Sequence, residues 1–344
     1  MLLIALMIIV PFKVYKGLNT DIITDELIRR REKYYYGVIT LWHIDTFEGG
    51  TGSRAAWLKE ICAGFERKNN GVYIAVEAVS AEKAKKLILS GQRSPDMLSF
   101  GSGLEINREL FEKLDITGTS DIAPDARCDE AVPWCMGAYV MIGEGDKSRW
   151  GIDGKSITGK KAQKTVYSVG FSSFDGHNSL KGLFENCNHA FNSETGLVEY
   201  SSKELFERYN YSFSVNSMLG SQRDLYRLQS LQNKQKAREG TVTYLGYTDL
   251  FQYVGMLKCD NEKKLKTMND FVDYILEPKQ QNRLSSVGML PVTKKAEPDY
   301  DNAYMTALWQ EILDKGIKTQ TFVFNCAQAT QEKEQMLTVL QKNR

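Results

Sequence analysis

The chain has 344 residues, 42% of them apolar and 25% charged, and 44 Lys plus Arg against 43 Asp plus Glu leave a net charge of +1. This is the balance of a folded globular protein, long enough for two domains of about 150 residues each, and it excludes an intrinsically disordered chain. It lacks the clustered positive excess that a phosphate backbone needs, so no nucleic-acid partner is expected. With only three histidines, His43, His177 and His189, no metal centre is expected. No two of the six cysteines have the C-x-x-C spacing of a zinc ribbon or a thioredoxin-type pair. Cys128 and Cys135 either pair across a short loop or remain thiols.

Residues 1–12, MLLIALMIIVPF, are uncharged and apolar. The run is shorter than the roughly 20 residues of a bilayer-spanning helix and has the length of a signal-peptide core. It reads as a truncated signal or a short uncleaved anchor, with a buried strand or helix as the structural alternative. Residues 13–36 follow as a polar tether carrying Arg29, Arg30, Arg31 and Lys33.

From Gly37 the pattern becomes that of a folded body. Val38–Trp42 reads as a buried strand and His43–Gly52 as a glycine-rich loop. Ser53 is placed to cap a helix whose Leu58, Ile61, Cys62 and Phe65 fall on one stripe, and which Asn69, Asn70 and Gly71 stop. Val72–Val79 alternates as a second strand. A helix follows over 81–90, and Asp96–Phe100 reads as a third strand. Strand and helix in alternation imply a parallel sheet with crossover helices. Ligands then bind in the loops at the carboxyl ends of the strands, here 43–52, about 79–82 and 101–105. Further on, Ala138–Ile142, Tyr211–Met218 and Thr241–Tyr247 read as strands. Helices are expected from Leu225 to Gly240, over 262–276, around Met305–Ile312 and over 327–342. Residues 143–164 look like a solvated loop.

Three segments carry a family resemblance: LWHIDTFEGGTGSR (41–54), WLKEICAGFERKNNGVYIAVE (57–77) and SGQRSPDMLSFGSG (90–103). They resemble, in order and spacing, the first lobe of extracellular solute-binding proteins of family 1. These are the ligand receptors of ABC importers, of the maltose-binding type. AVPWCMGAYVMI (131–142) is similar to the family's crossing into its second lobe, and YTDLFQYVGML (247–257) to the return crossing. FVDYILEPKQQNRLSSVGMLPV (271–292) is similar to a later helix and G-x-L-P-V segment. The resemblance covers about residues 37–295. It departs from the family in a short second lobe and in lacking a lipoprotein cysteine near the N-terminus.

The resemblance implies an α/β chain with the two-lobed periplasmic-binding-protein-like fold of type II. Each lobe would be a mixed, mostly parallel sheet flanked by helices, with a ligand cleft between the lobes. Lobe 1 would comprise 37–137 and about 250–300, and lobe 2 about 138–249 with 301–344. The implied role is an extracytoplasmic receptor delivering a small solute, carbohydrate first among the candidates, to an ABC importer permease. It would need no cofactor, and it would touch the membrane only through the N-terminal segment.

The candidate binding residues follow from this frame. His43, Asp45, Thr46 and Glu48 occupy the loop after the first strand, either as ligand contacts or as turn and capping residues. Ser102 and Gly103 follow the third strand, where glycine lets a backbone approach a ligand. Trp134, at the first crossing, offers an indole for stacking on a sugar, or else belongs to the core. Arg223 can clamp a carboxylate or pair with Asp224 or solvent. Tyr247 and Asp249 lie in the return crossing. Glu48–Arg54 lacks the G-K-[ST] ending of a phosphate loop. Two other classes remain: a two-lobed hydrolytic enzyme using His43 with Asp45 or Glu48, which has neither G-x-S-x-G nor H-E-x-x-H to support it, and a ligand-sensing domain serving a membrane kinase.

Overall fold

The computed structural model describes residues 35–45, 50–101, 106–118, 120–143, 167–172, 195–200, 202–212, 217–237 and 240–319. The first sheet starts as the alternation predicts. Strands β1 (Gly37–His43), β2 (Val72–Ala78) and β3 (Met97–Gly101) are parallel neighbours. Helix α1 (Arg54–Lys68) connects the first two, and Ser53 caps it by accepting the Ala56 N–H. Its buried stripe is the expected Leu58, Ile61, Cys62 and Phe65, together with Trp57. Helix α2 (Ala81–Leu89) starts at Ser80, whose hydroxyl accepts from the Lys83 N–H.

The rest of the chain builds a second sheet and then returns to complete the first. Strand β4 (Ala131–Met136) lies at the edge of sheet one, and β5 (Tyr139–Gly143) at once joins sheet two. There it meets β6 (Tyr167–Ser172), β7 (Thr195–Tyr200), β8 (Ser217–Ser221) and β9 (Thr241–Tyr244). Helix α3 (Ser202–Glu207) precedes β8, and α4 (Gln222–Asn233) follows it. After the short β10 (Tyr247–Thr248), strand β11 (Phe251–Met256) re-enters sheet one. The two sheets then run β2-β1-β3-β11-β4 and β7-β6-β8-β5-β9. The same pattern repeats: three parallel strands, then an antiparallel one (β11 or β5), then an edge strand. Helices α5 (Glu262–Leu276) and α6 (Pro278–Asn282) belong to the first sheet's side, whereas α7 (Ala303–Lys315) packs against α4 and β9. A last strand, β12 (Lys318–Thr319), pairs with β10.

The chain therefore passes between the sheets at Gly137–Ala138, between β9 and β11, and between Met289 and Asn302. Three expectations need correction. Tyr211 is not in a strand: Arg208–Ser212 continues α3 as a π-helical turn, and β8 begins only at Ser217. The expected strand Thr241–Tyr247 is broken by Gly246, whose φ of +70° turns the chain from sheet two toward β10. Helix α4 ends at Asn233 rather than near Gly240, with Gln235 in the left-handed region at φ 55°. Residues 1–34 and the expected helix 327–342 lie outside the described residues. Cys128 and Cys135 are free thiols; burial pushes Cys135 up to about 12 and Cys128 to about 11. Among the described residues, no helix is long and apolar enough to cross a membrane.

Candidate functional site

Register decides what meets at the carboxyl edge of sheet one. His43, the last residue of β1, pairs with Ser99 of β3, so their side chains share a face. On the other side of β3, Val254 of β11 pairs with Ser99, and Gln252, two residues away, points the same way. The β11–β4 pairing slips between Gln252 and Tyr253: Gln252 faces Cys135 and Tyr253 faces Pro133, so Trp134 is the extra residue of a bulge. A bulge re-aims a side chain, and here the Trp134 indole turns inward over Ser99. Pro133 is tolerated because β4 is an edge strand.

The outcome is a buried polar cluster beneath one exposed carboxylate. Ser99 Oγ lies 3.0 Å from His43 Nδ1, 3.0 Å from Trp134 Nε1 and 3.2 Å from Gln252 Nε2. His43 Nε2 lies 2.9 Å from Asp45 Oδ1. Arg54, the first residue of α1, reaches the same oxygen with Nε at 3.0 Å and Nη2 at 2.8 Å. The side chains of His43 and Arg54 are 0% and 4% exposed, and that of Asp45 is 60% exposed. Burial lowers the His43 pKa, only partly opposed by its hydrogen bond to Asp45, so the ring is neutral near pH 7. The His43 hydrogen bond, helped by the Arg54 charge, holds Asp45 well below the usual carboxylate range. Asp45 is thus a fixed anion, able to accept a hydrogen bond from a group arriving at the strand ends.

The other expected residues are distributed differently. Trp134 is fully buried, stacked on Trp57 with ring centroids 4.9 Å apart. Its indole does not stand open for a ligand, because the bulge delivers it to the core. Tyr247 is fully buried and parallel to Tyr139 at 6.4 Å, and Asp249 accepts the Tyr139 hydroxyl at 2.7 Å. Both serve the crossing between the sheets. Arg223 is the second residue of α4 and half-buried; burial lowers its pKa against the pull of Asp224. Asp224 itself is engaged by the Ser221 N–H and by Arg227. Thr46, Glu48, Ser102 and Gly103 lie outside the described residues.

Four residues outside the expected ligand contacts organise this region: Arg54, Ser99, Gln252 and Gln222. Gln222, at the start of α4, ties the crossings together. Its Oε1 accepts the Ala138 N–H at 3.0 Å, its backbone N–H reaches Ala138 O at 3.1 Å, and Nε2 lies 3.6 Å from Met289 Sδ. A Cβ on Gly137 would sit 2.8 Å from Gln222 Oε1, which explains glycine there. Thr248 Oγ1 bonds to Gly137 O and Gly137 N–H to Leu250 O, so two crossings are laced side by side. A single polar residue inside an otherwise apolar run was the available sequence signal for Ser99 and Gln252; the pairing of distant strands was not visible.

No family model matches the chain, and no curated protein matches it. Solved structures do. The GacH receptor of Streptomyces glaucescens GLA.O, determined unliganded and with acarbose, is similar with a TM-score of 0.56 at 14% identity, over 90% of this chain and 94% of that one. The fold is that of the two-lobed periplasmic binding proteins. The maltose/maltodextrin-binding domain MalE from Bdellovibrio bacteriovorus, bound to maltotriose, aligns over 90% of this chain and 95% of its own with a TM-score of 0.53 at 14% identity. The apo ferric ion-binding protein A of Pasteurella haemolytica aligns over 89% and 97% with a TM-score of 0.56 at 15% identity. Sugar and iron receptors thus share this two-lobed fold with the chain, and the ligand has to be argued from the site.

Proposed function

We propose that the chain is an extracytoplasmic solute-binding receptor that passes a small solute, carbohydrate first among the candidates, to an ABC importer permease. The observation that carries this reading is the Asp45 carboxylate, presented at the carboxyl edge of a parallel sheet and braced from beneath by His43 and Arg54. That edge adjoins the crossings between two sheets, where a solute touching both lobes favours the closed state through its differential contacts. The proposed lobes are 37–137 with about 250–300, and about 138–249 with 301–344. The membership of the described strands and of α7 supports that division. Asp45 is the proposed ligand contact in lobe 1 and Arg223 in lobe 2, with Thr46, Glu48, Ser102 and Gly103 beside Asp45.

Carbohydrate is favoured because an anion already held by a buried guanidinium suits a hydroxyl donor better than a free cation. Hydrolysis is disfavoured because both ring nitrogens of His43 are engaged, which leaves it poorly placed as a general base. A thermal-shift panel of maltotriose, spermidine and a short peptide tests the reading. A bound solute at 100 times its dissociation constant adds about 2.7 kcal/mol. At about 2.1 cal/mol/K per residue over 344 residues, that is a rise of about 4 °C. A rise with maltotriose that is abolished in Asp45→Ala is expected. A rise with spermidine alone would remove carbohydrate, and conversion of a solute to product would replace the receptor by an enzyme.

A further inference from the structure

Asp45 is exposed, but the groups that orient it are not, and their protons can be assigned one by one from the core outward. Gln252 Nε2 lies 2.9 Å from the Ile44 carbonyl, which can only accept, so this atom is the amide nitrogen and one of its hydrogens goes there. The other goes to Ser99 Oγ at 3.2 Å. The Trp134 indole N–H, which can only donate, reaches the same hydroxyl at 3.0 Å. A hydroxyl oxygen accepts twice and donates once, so both Ser99 lone pairs are taken. Its single proton is then directed to His43 Nδ1, 3.0 Å away. Nδ1 is therefore an acceptor, and a neutral ring carries its proton on Nε2, aimed at Asp45 Oδ1 at 2.9 Å. A proton on Nδ1 would set donor against donor inside the core.

The far end is as constrained. Asp45 Oδ1 receives the His43 N–H and the Arg54 Nε–H, with Arg54 Nη2 paired to it at 2.8 Å. Among the described residues, Oδ2 has no partner, and the side chain is 60% exposed. We propose that Ser99 is a positioning residue for the Asp45 carboxylate: its hydroxyl, saturated by Trp134 and Gln252, donates to His43 Nδ1 and locks the ring whose Nε2–H holds Oδ1, leaving Oδ2 to accept from a ligand hydroxyl. The last step rests on the reading of this edge as the solute site; the relay itself needs no ligand. Ser99 touches no solute in this scheme and acts through His43.

The experiment is NMR on the full chain without ligand, with histidine labelled by nitrogen-15 and aspartate by carbon-13 at the carboxyl carbon. The His43 signals are those missing from His43→Gln. At pH 7 the parent shows His43 neutral and protonated on Nε2. Ser99→Ala leaves Nδ1 without its donor, broadens the His43 ring signals as the ring loosens, and raises the Asp45 titration midpoint toward the ordinary carboxylate range. Trp134→Phe frees one Ser99 lone pair but keeps the Nε2 tautomer, because the Asp45 carboxylate still accepts from Nε2 and the Ser99 hydroxyl can still donate to Nδ1. A parent His43 protonated on Nδ1 or on both nitrogens overturns the proposal, even if Ser99→Ala fails to fold. So does a folded Ser99→Ala chain whose Asp45 midpoint is unchanged. A cleft that binds no solute would sink the receptor reading and leave the relay intact, so the two failures are distinguishable.

Discussion

Replacing Trp134 by phenylalanine separates a core role from a ligand-stacking one. The indole is fully buried, lies parallel to Trp57 and donates to Ser99. Phenylalanine keeps an aromatic ring on Trp57 but loses that hydrogen bond, about 1 kcal/mol. It also gives up the second ring, which forfeits about 1 kcal/mol of burial and leaves a small cavity. The expected loss is about 2–3 kcal/mol. With an unfolding entropy of about 2.1 cal/mol/K per residue over 344 residues, the melting temperature falls by about 3–4 °C. Trp134→Ala, which empties the whole site, costs about 3–5 kcal/mol. Differential scanning calorimetry measures both, and titration calorimetry with the first solute found to bind measures affinity. Because the indole does not stand open to a ligand, Trp134→Phe should change affinity by less than about threefold, under 0.7 kcal/mol. A variant that melts like the parent while affinity falls tenfold or more would refute the argument, and would return Trp134 to the cleft.

The His43–Asp45 pair also predicts an acid-side loss of stability in two stages. His43 has a lowered pKa in the fold, so the unfolded chain takes up its proton first, and stability declines as pH drops below about 6.5. Asp45 is likewise depressed, so its contribution is present above about pH 4 and declines below it. Melting curves between pH 8 and pH 3 should show both, and His43→Gln should flatten the upper stage; an unchanged profile in that variant would assign the stage to other groups. For location, a reporter fused after Arg344 should be exported, and full protection of the body from protease in wall-stripped cells would contradict an extracytoplasmic receptor.

Local chemistry made much of lobe one legible. Ser53, the stripe Leu58–Phe65 and the glycines around it delimit α1 to the residue, because capping and helical periodicity are properties of neighbours in sequence. The same holds for β1, β2 and α5, and for Asp45 as a polar group at a strand end. Where a strand is buried on both faces, periodicity is silent. Phe251–Met256 has no alternation to read, and only its place between β3 and β4 shows it to be a strand. Gly246 is equally ambiguous in sequence; its positive φ, which divides β9 from β10, is imposed by the return to sheet one. Tertiary pairing also decided the site. Ser99 and Gln252 are 153 positions apart in the chain and become partners only when β11 docks antiparallel to β3. The bulge that aims Trp134 inward exists only once β4 is paired with β11. From Gly37 to Phe100, sequence by itself determined which segments form and that an acid waits at the end of the first strand. The packing of strands distant in sequence decided which side chains brace that acid and which disappear into the core, because hydrogen bonds and burial act through space.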